Sequence, residues 1–165
     1  MSNYRIVDVR QIPNEHEETW HGVAEILSCD PWNNEDVGAY LVGFDDNTED
    51  EQHQLTFYLN ADNRDLQDAE RRISERRSET SVDSVRQYHR TLLCYYLYQM
   101  ALDEIGRNSI GRANYNSDAN QQQPQEVFRD YQNYRPELIR LNRTLLYAQR
   151  EFYESLMATV PVDEE

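Results

Sequence analysis

From Tyr4 to Asn60 the apolar residues fall in short runs. Tyr4–Ile12 is rich in Ile and Val and stops at Pro13. Trp20–Ser28 puts Trp20, Ala24 and Ile26 on one parity, and Ala39–Phe44 puts Tyr40, Val42 and Phe44 on one face. Further on, Leu55, Phe57 and Leu59 alternate with Thr56, Tyr58 and Asn60, the cleanest period of two in the chain. That period sends successive side chains to opposite faces of a strand, so these runs read as strands, the last of them half exposed. The connections Asn14–Thr19, Asp30–Val37 and Asp45–Gln52 are short and polar. Short connections favour antiparallel neighbours, and the simplest arrangement is an antiparallel β-meander of three or four strands.

The period then changes. Asp62, with Asp65 after it, predicts a helix start, because carboxylates there accept from unpaired N–H groups and oppose the positive end of the dipole. Leu66, Ala69 and Ile73 give that helix only a narrow apolar stripe. Thr80 with Asp83 opens a second helix, which runs to about Ile105 with Gly106 in the C′ position. Its centre, Leu92–Tyr98, is apolar on nearly every side and asks for cover on nearly every side. Arg107 to Gln123 is a polar break. Pro124 can start another helical piece, and Pro136 either kinks it or starts the main C-terminal helix to about Thr159. Tyr131, Tyr134, Leu138, Leu141, Leu145, Ala148 and Phe152 form a heptad-like seam, with Ile139, Leu146, Tyr153 and Met157 as a second stripe. The expected fold is α+β: an acidic β-meander (1–61), a helical hairpin (62–106), a polar loop (107–123), a long C-terminal helix (124–160), so two long helices in all, and an acidic tail (161–165). One domain is expected overall.

Composition narrows the class. Leu, Ile, Val and Phe number 35 of 165 residues, enough with twelve Tyr for a modest core. No apolar run approaches the roughly 18 residues of a membrane span, and no signal-peptide core opens the chain. A cytoplasmic or virion location without a membrane is therefore expected. Cys29 and Cys94 lie too far apart and too few for a secreted disulfide scaffold.

The charge is −15, from 31 acids and 16 basic residues, and every basic residue is Arg. Many carboxylates without Lys fit a halophilic cytoplasm; escape from lysine-directed modification and compositional bias are the alternatives. Thirteen Asn and twelve Gln suit a virus or mobile element of a halophilic host better than its housekeeping enzymes. The charge is also split: residues 1–62 carry 14 acids and two Arg, net −12, whereas residues 63–160 carry 14 of each. The front of the chain thus offers a negative field.

Candidate chemistry is sparse. His16 and His21 stand among Glu15, Glu17 and Glu18 without helical ligand spacing, and read as a solvated acidic loop rather than a metal site. Asp45, Asp46, Glu49, Asp50 and Glu51 form an acidic turn that lacks the glycine and terminal glutamate of a calcium loop, so weak, unspecific cation binding is the most it offers. Cys94 reads as an inert buried thiol, and Cys29 has no basic neighbour in sequence to lower its pKa. There is no nucleophile elbow, phosphate loop, dinucleotide glycine set or zinc-protease motif, and only five Gly in all. The sequence therefore points away from an enzyme, a cofactor or a metal. Asn142-Arg143-Thr144 matches a glycosylation sequon but sits mid-helix.

Arg71, Arg72, Arg76 and Arg77, with Arg86 and Arg90, alternate with acids. Seven Arg against six acids over residues 63–90 argue against direct nucleic-acid binding. These Arg could instead meet carboxylates of a neighbouring subunit. Together with Tyr95, Tyr96, Tyr98, Tyr131, Tyr134, Leu146 and Tyr153, they form the expected protein interface, because Tyr combines a flat apolar ring with a polar tip. The expected function is a non-enzymatic structural protein that docks with other subunits as a homo- or hetero-oligomer. A head–tail connector or neck piece of a halophile's virus is its most concrete form. The alternative is an acidic nucleic-acid mimic that inhibits a DNA- or RNA-binding protein.

Overall fold

A computed structural model describes residues 3–44, 53–75, 79–115 and 130–158, with side chains over 4–43, 54–75, 81–107 and 130–151. Within these the chain is α+β. In order it forms β1 (Asn3–Arg10), β2 (Glu18–Thr19), α1 (Trp20–Leu27), β3 (Gly38–Phe44), β4 (His53–Asn60), α2 (Arg64–Ser74), α3 (Glu79–Tyr115) and α4 (Tyr131–Ala158).

The strands make one mixed sheet of order β2-β1-β4-β3, not the expected antiparallel meander. The β3–β4 hairpin is antiparallel, with Tyr40 opposite Phe57 and Val42 opposite Leu55. β1 runs parallel to β4, with Ile6 beside Phe57 and Asp8 beside Leu59. The cause lies in the segment 20–27, expected as a strand but helical. Trp20, Val23, Ala24 and Leu27 share one helix face, and Val23 and Ala24 are buried. The Thr19 hydroxyl caps the helix by accepting from the Gly22 amide at 2.8 Å. Ser28 ends it in the left-handed region, at φ 54° and ψ 47°, while its N–H donates back to the Ala24 and Glu25 carbonyls. The helix packs beside β1 and β2, and the segment 28–37 after it brings the chain to the far edge of the sheet, where β3 forms. Gly38 opens β3 where an added Cβ would lie 2.9 Å from the Tyr58 carbonyl.

One sheet face carries Ile6, Tyr40, Val42, Leu55, Phe57 and Leu59 and packs under α3 and α4. The other carries Val7, Val9, Ala39 and Tyr58, and α1 lies against it through Val23 and Ala24. The helical part departs from the expected pair of long helices. α2 starts one residue later than expected, capped by Asn63, whose side chain accepts from the Leu66 amide at 2.9 Å. Asp62 instead accepts from the Gln11 amide at 2.8 Å and from Arg10. Gly106 does not end α3, which continues to Tyr115 through the first part of the expected polar loop. α4 begins at Tyr131 and carries Pro136 inside its second turn, so Pro136 does not start it. Pro124, the acidic turn 45–51, Arg76, Arg77 and the acidic tail lie outside the described residues, as does the Tyr153 side chain.

A buried polar spine and an aromatic groove

Two features of the described residues stand out chemically. The first is a buried polar spine where the sheet meets the helices. Asp36, only 2% exposed, accepts from the Arg135 Nε at 2.7 Å, from the Tyr131 hydroxyl and from the Asn33 amide at 2.7 Å. Its own carbonyl accepts from the side-chain amides of Asn60 (2.7 Å) and Asn63 (3.1 Å). Asn60 then accepts from the Trp20 indole at 3.0 Å, and Asn63 from the Asn142 amide of α4 at 3.1 Å. His89 of α3 sits beside Asn142 and is 2% exposed. Burial, opposed by its contact with Asn142 and by Glu70, lowers its pKa to about 4. Burial and the Asp36 carboxylate push the Tyr131 hydroxyl far above the ordinary tyrosine range. The spine ties the 33–36 turn, the end of β4, α2, α3 and α4 together. An aromatic stack continues it: Trp32 on Tyr131 at 5.5 Å and Tyr40 on Tyr134 at 5.3 Å, with the Tyr40 hydroxyl donating to buried Glu104.

The second feature is an open groove of about 600 Å³ between α3 and the β1–β4 part of the sheet. Tyr4, Ile6, Leu55 and Phe57 form its floor; Thr91, Cys94, Tyr95 and Tyr98 stand on the α3 wall. Its one charged lining residue, Arg90, is ion-paired to Asp8. Burial raises the pKa of Cys94, which makes a poor nucleophile, and burial together with Asp36 does the same for Cys29.

The two faces of α3 differ sharply. His89, Leu93, Leu97, Ala101 and Glu104 face inward and are buried. Tyr88, Thr91, Tyr95, Tyr98 and Leu102 repeat at 3, 4, 3 and 4 on the other face. Tyr88 is 58% exposed, Tyr95 63% and Leu102 41%. Tyr88, Tyr95 and Leu102 thus form an outward row at a spacing of seven, with Thr91 and half-buried Tyr98 between them on the groove side.

The residues expected at an interface are divided by the fold. Tyr95 is exposed, and Tyr96 and Tyr98 are half-buried. Tyr131, Tyr134 and Leu146 are buried in the chain's own core, so they are not surface positions. Arg71 is exposed and pairs with Asp68 on its own helix; Arg72 is also exposed. Of the other Arg expected there, Arg86 pairs with Glu70 and Asp83 and Arg90 with Asp8. Elsewhere Arg64 pairs with Glu35, Arg135 with Asp36 and Arg10 with both Glu17 and Asp62. His21 is exposed and faces Glu25 at 3.3 Å, and His16 is exposed in the preceding turn. Asp36, Asn60, Asn63, Tyr88 and Tyr4 are not singled out by their residue types, and Asn142, which matches a sequon, is 1% exposed. The one signal available was the spacing of Tyr88 with Tyr95, a helical repeat of seven.

Comparison with family models, with curated proteins and with solved structures finds no match to this chain. No helix of the described residues is long and apolar enough to cross a membrane.

Proposed function

We propose that this chain is a non-enzymatic docking module that joins other protein subunits through the α3 ridge and the groove beside it. The observation that carries this reading is the exposed row Tyr88, Tyr95 and Leu102 beside the groove, on a helix whose other face is buried. Apolar area set in a continuous row beside a cleft marks an interaction surface, whereas scattered single residues do not. Tyr is also a preferred anchor of protein interfaces. The Lys-free, acidic composition supports a structural component of a halophile's virus as the setting, with a connector or neck piece as its most concrete form.

The nucleic-acid mimic is the weaker reading. A mimic needs a row of unpaired carboxylates. Of the acids in residues 1–62, Asp8, Glu17, Glu35, Asp36 and Asp62 already pair with Arg of this chain.

Changing Tyr88 and Tyr95 together to Ser tests the docking reading. Both are solvent-exposed, so the urea midpoint should shift by less than the equivalent of about 0.5 kcal/mol. Association with subunits co-purified from the native source should weaken at least about tenfold, read by light scattering or native mass spectrometry. The contact should persist in molar salt, because it is mainly apolar, whereas a mimic would lose its basic partner there. A chain that stays monomeric and partner-free at low and high salt would refute the proposal.

A further inference from the structure

The groove has an open side. β1 pairs with β4 from Asn3 to Val9, but on its other flank β2 takes only Val9 and Arg10. Among the described residues nothing pairs with the outer edge of β1 from Tyr4 to Val7. The orientation of that edge follows from one hydrogen bond. The Val9 carbonyl accepts from the Ala61 amide at 2.9 Å, on the β4 side. In a strand the N–H and C=O of one residue point to the same flank, and the flank alternates along the chain. Tyr4 and Ile6 therefore turn their main-chain donors and acceptors outward, as does the Asp8 N–H, while the Asp8 carbonyl faces β2. Natural sheets blunt such an edge with charged side chains, Pro, a bulge or a covering element. β1 carries Arg5, Asp8 and Arg10, but Asp8 is paired with Arg90 and Arg10 with Glu17 and Asp62, Pro13 lies past the end of the strand and the pairing with β4 runs without a break.

We infer that this edge accepts an extended segment of another protein as an additional strand, with apolar residues toward the groove and basic residues at its flanks. The inference rests on the docking reading and specifies the occupant. Main-chain pairing along Tyr4–Asp8 would supply affinity, and every second side chain of the guest would fall on the groove face beneath Thr91 and Tyr95. The groove offers that side chain no net charge, because Arg90 is neutralised by Asp8. The whole chain carries −15, with −12 in residues 1–62, of which Asp8, Glu35 and Asp36 are neutralised by Arg90, Arg64 and Arg135. That field repels a second copy and attracts Arg or Lys at the ends of a guest strand.

The test uses the full chain and a pool of capped synthetic peptides in which Thr alternates with randomised apolar residues between two Arg pairs. A retained peptide should slow hydrogen exchange at the Tyr4, Ile6 and Asp8 amides. Ile6→Pro removes an outward N–H and places the ring on the edge without touching the β4 ladder, so binding should fall at least about tenfold. Ile6→Ala, which keeps the N–H, should cost clearly less. Should Ile6→Pro fold poorly, N-methylated peptides on the unaltered protein give the same answer. Methyl groups on alternate amides of one parity should abolish binding, and on the other parity should spare it.

Equal binding by both methylated forms, or protection confined to α3, would overturn strand addition while leaving the docking reading intact. So would failure of every peptide in the pool when Tyr88 and Tyr95 still support association. Protection of the same three amides by self-association without peptide would put a second copy in the edge and overturn the basic guest.

Discussion

Replacing Asp36 with Ala should destabilise the fold by about 3–5 kcal/mol, the largest effect expected of a single substitution outside the apolar core. The carboxylate is 2% exposed and holds three donors: the Arg135 guanidinium, the Tyr131 hydroxyl and the Asn33 amide. Removing it leaves the Tyr131 hydroxyl and the Arg135 charge facing a partly dry space. Arg135→Ala should cost a comparable amount for the opposite reason, because it strands a buried anion. Tyr131→Phe removes one donor and should cost about 1–2 kcal/mol. The double variant Asp36→Ala with Arg135→Ala should be clearly less destabilised than the sum of the two singles, because neither charge is then left alone. Urea unfolding of the four variants measures all of this. Repeating it in molar salt adds a discriminating control: a buried pair is screened little, so the penalty should persist. Additive penalties, or an Asp36→Ala loss below about 1 kcal/mol, would mean the spine does not hold α4 on the sheet.

The spine also shows why part of this molecule was legible in the sequence and part was not. The β3–β4 hairpin could be read because Leu55, Phe57 and Leu59 alternate cleanly, and one buried face enforces that alternation. α1 was misread because Trp20, Ala24 and Ile26 satisfy a strand parity while Trp20, Val23, Ala24 and Leu27 satisfy a helix face. The Thr19 cap decided the matter, and over so few residues the two periods are hard to separate. Nothing local could reveal that β1 lies beside β4, since that pairing joins segments far apart in sequence. Asp36, Asn60, Asn63 and Asn142 look like turn, cap and surface residues when read singly; their meaning is their convergence. The candidate docking surface was half legible. In the tyrosine-rich centre of α3, Leu93 and Leu97 are buried, Leu92, Cys94, Tyr96 and Tyr98 half-buried and Tyr95 exposed. The sequence could not say which tyrosines face outward, because that depends on His89, Leu93, Leu97 and Ala101 taking the inward face.

His89 makes the second large prediction, a pH dependence with a definite sign. In the folded chain its pKa lies near 4, because burial between α3 and α4 disfavours the imidazolium more than Asn142 and Glu70 favour it. In the unfolded chain it titrates near its ordinary value of about 6.5. Above that value both states hold a neutral ring and His89 adds no pH dependence. Below it the unfolded chain binds a proton that the folded chain refuses, so stability falls as pH drops from about 6.5 toward 4. Between pH 7.5 and 5 the loss should reach about 2 kcal/mol. Acidification also relieves the self-repulsion of a chain at −15, which acts in the opposite direction. The prediction therefore concerns the difference between the unaltered chain and His89→Gln, whose side chain does not titrate. The gap in unfolding free energy between them should shrink or reverse by about 2 kcal/mol over that interval, whatever the variant costs at pH 7.5. Measurement should stop near pH 5, since the isoelectric point of about 4.6 invites precipitation. Parallel stability curves for the two proteins, or a histidine resonance of the folded chain at position 89 titrating near 6.5, would show that His89 is not enclosed by α3 and α4 in solution.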